Sequence, residues 1–159
     1  MSTNHNQGFT LIELMVVIAI TSLLFGLGIS AYTKAQNKQI GQNATEKIIS
    51  LLHSAQKDAS IGKKDCAGKF IGQQITLTIS TASLTSQSLC ENSELGTPQT
   101  TIIPGITWSA TSSFVFQPLS LGIDLGGPGQ IFLDFMTSNQ TDYRLQLNSS
   151  GTIQSLGAI

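Results

Sequence analysis

Residues 14–33 read LMVVIAITSLLFGLGISAYT, a run from Leu14 to Thr33 without a formal charge. As a helix rising ~1.5 Å per residue it spans about 30 Å, the thickness of a bilayer's hydrocarbon core. Gly26, Gly28 and Ser30 would weaken a helix in water but are tolerated in lipid, where they let neighbouring helices approach closely. The rest of the 159-residue chain is too small to wrap an apolar helix on all sides. The run therefore predicts a membrane helix carrying one compact domain. Composition agrees. Charged residues make up 11% against a usual ~25%, and Ser, Thr, Asn and Gln supply the polar surface from Gln73 onward. A mean hydropathy of +0.15 is the average of one apolar segment and one polar domain.

Upstream of the run, two ordinary explanations fit badly. A secretory signal peptide has a basic start, an apolar stretch of roughly 7–15 residues and a small-x-small cleavage site. Here no Lys or Arg precedes the run, which is too long, and only Gly28-Ile29-Ser30 near its end offers a weak site. A plain signal anchor leaves Glu13 unexplained, because a carboxylate costs about 2.5–3.5 kcal/mol near the middle of a membrane span and less at its edge.

The heptapeptide Gly8-Phe9-Thr10-Leu11-Ile12-Glu13-Leu14, followed directly by the apolar run, resembles the class III signal sequence of type IV prepilins and type II secretion pseudopilins. The resemblance implies a leader, Met1 to Gly8, removed by a prepilin peptidase at Gly8–Phe9, with methylation of the new amine on Phe9. It implies an assembly helix over residues 9–33, with Glu13 pairing with the amine of a neighbouring subunit to set register. At an effective dielectric of ~20 and ~4 Å, such a pair is worth about 4 kcal/mol before desolvation. The implied partners are other pilin or pseudopilin subunits, the peptidase, the membrane and an inner-membrane assembly platform. Two features depart from the family pattern. The leader carries only His5 where many have Lys or Arg, and Ser30 stands where many pilins have a kinking proline. Lys34 and Lys38 after the run would by the positive-inside rule keep the C-terminal domain in the cytoplasm. The motif outranks that count, because the peptidase must reach Gly8 from inside, and so the head is expected outside the cytoplasm.

Downstream, Ile40, Ala44, Ile48, Leu51, Leu52, Ala55 and Ala59 recur at spacings of three and four and trace one apolar stripe. An amphipathic helix is predicted over residues 34–62, with Gly62 as its stop. Phe9 to Gly62 as one helix would measure roughly 80 Å. Beyond Gly62 the period turns to two. Ile75, Leu77 and Ile79 alternate with polar residues, and Leu84 to Cys90 returns as a partner after Thr81-Ala82-Ser83. Pro98, Pro104 and Gly105 break the next stretch. Thr107–Phe116, Gln130–Met136, Asp142–Asn148 and Thr152–Leu156 read as further strands. Gly126-Gly127-Pro128-Gly129, Ser138-Asn139-Gln140 and Ser149-Ser150-Gly151 separate them as turns. The expected fold is α+β: a long N-terminal helix packed on a small antiparallel head over residues 63–159. The closing pattern, Phe116-Gln117-Pro118-Leu119-Ser120-Leu121-Gly122 with Tyr143 to Asn148 and Ser150 to Ile153, is similar to minor pseudopilins of the GspH/FimT type. The arginines with which some FimT-type members hold DNA are replaced here by Thr152, Ile153 and Gln154.

Cys66 and Cys90 are the only cysteines. Their spacing matches no zinc pattern, and His5 and His53 lie far away. The favoured reading is a disulfide in an oxidising compartment, closing a loop of about 25 residues and worth roughly 3.5 kcal/mol in the chain-entropy model. The other is a pair of reduced, buried thiols.

The net charge of −1 hides an asymmetry. Lys34 to Lys69 holds a surplus of lysines over Glu46, Asp58 and Asp65, whereas Arg144 alone faces Glu91, Glu94, Asp124, Asp134 and Asp142 beyond it. An acidic head with one arginine has no nucleic-acid footprint. No glycine loop precedes a helix to cradle a phosphate, no cluster has metal spacing, and only His53 would survive processing to serve a triad. No enzyme and no cofactor are expected. The rival from another class is a single-pass anchored binding domain that never polymerises. A β-protein secreted by cleavage at Ser30 and an exported enzyme using His53 come after it.

Overall fold

The computed structural model describes residues 10–120, 122–127, 129–138 and 140–159, except for the side chains of residues 27–31 and 120. Its first element is one helix, α1, Leu11–Ser60. Nine strands follow: β1 Phe70–Thr78, β2 Ser83–Cys90, β3 Gln99–Ile102, β4 Ile106–Trp108, β5 Ser112–Phe116, β6 Ile123–Asp124, β7 Gln130–Thr137, β8 Asp142–Asn148 and β9 Ile153–Ala158. The chain divides into two units, Met1–Lys38 and Gln39–Ile159.

In the first unit every described side chain from Thr10 to Phe25 is exposed, including Leu11, Ile12, Leu23 and Phe25, the last at 73%. A helix apolar on all sides belongs in lipid or in a bundle rather than on the outside of a soluble domain. Thr21 and Ser22 hide their hydroxyls by bonding back to the carbonyls of Val17 and Ile18 at 2.7–3.1 Å, which makes them compatible with an apolar surround. Among the described residues no helix is long and apolar enough to cross a membrane. The run Leu14–Thr33 in which a span was expected includes residues 27–31, whose side chains lie outside the description.

In the second unit the expected stripe becomes the buried face of α1. Ala44, Ile48, Leu52, Ala55 and Ala59 are at most 5% exposed, and Ile40 and Leu51 are half-buried at its margin. Gly41 and Thr45 are buried with them, the Thr45 hydroxyl donating to the Gly41 carbonyl at 2.9 Å. The face joins one core with residues of two antiparallel sheets, including Ile75, Leu77, Phe114, Phe116, Trp108, Leu133, Phe135 and Leu145. The five-stranded sheet has the order β3-β2-β1-β5-β6 and the four-stranded one β4-β7-β8-β9. Trp108 meets Phe135 edge-on at 5.8 Å, and Phe135 stacks on Tyr143 at 5.5 Å, contacts that add to the burial of their area.

The head differs from expectation in three places. Thr107–Phe116 is not one strand: β4 pairs with β7 and β5 with β1, in different sheets. The inward parity of Trp108, Phe114 and Phe116 runs unbroken across the crossing, and Ser109-Ala110-Thr111 carries no glycine or proline to mark it. Strand β3 holds no inward apolar residue to mark it in the sequence, and β6 has only two residues. Pro128 and Asn139, within two of the expected turns, lie outside the described residues.

Gly41 is where helix propensity and packing oppose each other. A Cβ there would run into the Tyr143 ring, whereas one at Gly26 would meet nothing within 4 Å. Glycine to alanine in a helix interior normally stabilises by about 1 kcal/mol. Gly41→Ala is expected to destabilise instead, with a lowered thermal midpoint, while Gly26→Ala leaves the midpoint unchanged or raised. Calorimetry of the two variants checks the sign.

Candidate functional site

The N-terminal site begins where the description begins. Gly8 and Phe9, the expected scissile and methylated residues, lie outside the described residues. Thr10 is the first described residue, and it caps α1. Its Oγ1 accepts the Glu13 backbone N–H at 3.3 Å, and its carbonyl accepts the Leu14 N–H at 3.2 Å. An N-cap threonine satisfies one of the four amides that a helix start leaves without a partner. Glu13 is then the third helical residue, in the first turn and exposed. There a carboxylate is favoured by the positive end of the helix dipole. Thr10-Leu11-Ile12-Glu13 has the spacing of a capping box, a local signal for the cap that the expectations above do not include.

The two cysteines come together. Cys66, between α1 and β1, is bonded to Cys90 at the end of β2, with Cα atoms 6.3 Å apart, inside the range a disulfide accepts. Around them two carboxylates clamp the same two segments. Asp65 Oδ2 accepts the Thr97 N–H at 2.7 Å. Glu94 accepts the Gly68 and Ala67 amides at 3.0 and 3.3 Å. The Glu91 N–H donates to the Lys69 carbonyl at 2.8 Å. Two lysines are tied down nearby, Lys63 to Asp58 at 3.1 Å and Lys64 to the Gly68 carbonyl at 2.8 Å. Nothing in sequence spacing brings Asp65 to Thr97 or Glu94 to Gly68; only the hairpin does. A cavity of about 160 Å³ beside the clamp is lined by Asp58, Lys63, Lys64, Asp65, Gln73 and Thr97 among others. Its two positive and two negative groups balance, and each is bonded to a neighbour.

Other candidate residues are accounted for locally. Asp134 binds Arg144 through both carboxylate oxygens at 2.7–2.8 Å, and the guanidinium lies 5.0 Å from the Phe132 ring centre. Asp124 accepts the Gly126 N–H at 3.0 Å. These two carboxylates are therefore separately engaged and do not act as a pair. His53 is exposed, its Nδ1 3.3 Å from Gln56 Oε1. Among the described residues no group of three or more His, Cys, Asp or Glu side chains is placed to hold a metal ion.

The backbone N–H of Thr97, then the hydroxyls of Ser88 and Thr97, hold the Asp65 carboxyl below the ordinary carboxylate range. A lowered folded-state value means that the contribution is complete above the unfolded value, about 3.9. It is lost as pH falls through the folded one. Thermal stability is expected to drop below about pH 4. In Asp65→Asn that part of the drop should be absent, and stability at neutral pH should be lower than in the parent chain. Melting curves over the acid range read both effects.

No curated protein and no solved structure matches the chain. Residues 3–29, which include Gly8, Phe9, Thr10 and Glu13, match the family model described as the prokaryotic N-terminal methylation motif. That stretch is the prepilin-type cleavage and methylation motif.

Proposed function

We propose that this chain is a structural subunit of a type IV pilus or type II secretion filament, a minor pseudopilin of the GspH/FimT type. Prepilin peptidase cuts between Gly8 and Phe9 and methylates Phe9, and the exposed apolar helix joins a bundle of neighbouring helices. The observation that carries the reading is the methylation motif over residues 3–29, running into a helix whose first turn holds Glu13. The exposed apolar surface from Leu11 to Phe25 supports it, since such a surface is stable only against lipid or like helices. Before assembly the chain resides in the cytoplasmic membrane with a single span and the head outside. The Cys66–Cys90 disulfide supports an exported head, because such bonds persist in oxidising compartments.

In this reading Glu13 pairs with the Phe9 amine of a neighbour as each subunit enters, and an unpaired carboxylate in the bundle is costly. Glu13→Gln keeps the shape and removes the charge. The variant is expected to be cleaved like the parent but to fall at least about tenfold in the sheared filament fraction, ~1.4 kcal/mol or more. Equal incorporation of parent and variant would contradict the register role, and absence of both from that fraction would favour an anchored domain that does not polymerise.

A further inference from the structure

We propose that the cavity between the end of α1 and the inner face of β1 and β2 binds a small neutral polyhydroxyl ligand, a glycerol-sized polyol or the diol edge of a saccharide. The site lies wholly in the second unit and is independent of the processing reading above. Toward Thr78 the inner face of the sheet is apolar, with Ile75, Leu77 and Leu84 buried. Toward Phe70 it turns polar. Gln73 has the parity of Ile75 and Leu77, and the registers Gln73↔Ser88, Ile75↔Ser86 and Ser86↔Gln99 put Ser88, Ser86 and Gln99 on that same face. Gln73 and Ser88 are 8% and 5% exposed and form the floor. Thr97 and Gln99 are exposed at the rim.

The floor carries a polar atom without a partner. Gln73 Nε2 donates to Ser86 Oγ at 3.0 Å, but Gln73 Oε1 is buried and meets no donor. A polar atom left so costs free energy that an entering partner recovers. Charge decides the class of that partner. Lys63 and Lys64 stand against a cation, and Asp58 and Asp65 against an anion. All four are already bonded, Lys63 to Asp58, Lys64 to the Gly68 carbonyl and Asp65 to the Thr97 N–H. What stays open is the neutral amide of Gln73, with the Ser86 hydroxyl and the Gln99 amide beside it. A hydroxyl both donates and accepts, so a polyol satisfies Gln73 in either orientation of its amide and bonds the rim as well. Size agrees. A cavity of about 150 Å³ holds benzene, glycerol has as many heavy atoms, and this cavity measures about 160 Å³. The walls are set in advance by the Cys66–Cys90 bridge and the Asp65–Thr97 bond, so little ordering is lost on binding.

The test is a titration of the isotope-labelled full chain in amine-oxide micelles, which carry no sugar, with backbone amide shifts read by NMR. The probes are glycerol and the methyl glycosides of glucose, mannose and galactose. Propan-1-ol, ethylammonium and acetate are the comparisons. Saturable shifts at Gln73, Ser88 and Thr97 are expected with at least one hydroxyl-rich probe and with none of the comparisons. A response to glycerol assigns a free polyol, and a response to a glycoside alone assigns a saccharide edge. Gln73→Met keeps the length of the side chain and removes the amide, and its affinity is expected to fall at least about tenfold. Gln99→Leu changes only the exposed rim and is expected to weaken binding severalfold, which carries the test if the floor variant does not fold. Gln74→Met, on the outer face of the same strand where Gln74 meets Gln87, leaves affinity unchanged. Absence of saturable shifts with every hydroxyl-rich probe would overturn the proposal and leave the cavity to water. So would parent affinity in both Gln73→Met and Gln99→Leu, or a charged comparison that binds as tightly as the best polyol.

Discussion

One helix has to meet two different demands along its length. Through Phe25 the described side chains of α1 are exposed, the large apolar ones among them, whereas from Ala44 to Ala59 only one face is apolar and it is buried. The first surface calls for lipid or neighbouring helices and the second for a folded head. Everything in the second unit serves that buried face. Two sheets supply its partners, and helix propensity is sacrificed at Gly41 so that the Tyr143 ring can sit against the backbone. In the exposed apolar half, Thr10 at the start and the hydroxyls of Thr21 and Ser22 further in bond within the helix itself.

Where α1 ends, the chain must turn into the sheet without an apolar contact to hold the turn. Lys63, Lys64, Asp65 and Ala67 are all exposed. The junction is held by bonds instead of burial. The Cys66–Cys90 bridge fixes the segment covalently, and Asp65 and Glu94 receive backbone amides across the same gap. A hydrogen bond to an ionised carboxylate is stronger than one between neutral groups. The disulfide thus ties the segment that follows α1 to the end of β2.

The sequence revealed those parts of the molecule that repeat a period or occupy consecutive positions. Burial at Ala44, Ile48, Leu52, Ala55 and Ala59 follows from spacings of three and four. The alternation around Ile75 and Leu77 identifies β1, and the charge-free run and the motif at Gly8 to Glu13 are contiguous. The division of Thr107–Phe116 between two sheets was hidden because Trp108 and Phe114 keep the same parity across the break. The Asp65 and Glu94 clamp was hidden for a different reason: its bonds join residues 26 to 32 positions apart, a distance no local pattern encodes. The cap at Thr10 lay in plain view as a T-x-x-E spacing.

The central claim is that the chain is processed at Gly8–Phe9 before it assembles. It is tested most directly by intact mass and N-terminal sequencing of the membrane-extracted protein, made with and without a prepilin peptidase. The account predicts a chain beginning at N-methylated Phe9 only when the peptidase is present, and one beginning at Met1 when it is absent. A chain beginning at Met1 under both conditions, or at Ala31 in either, would contradict it.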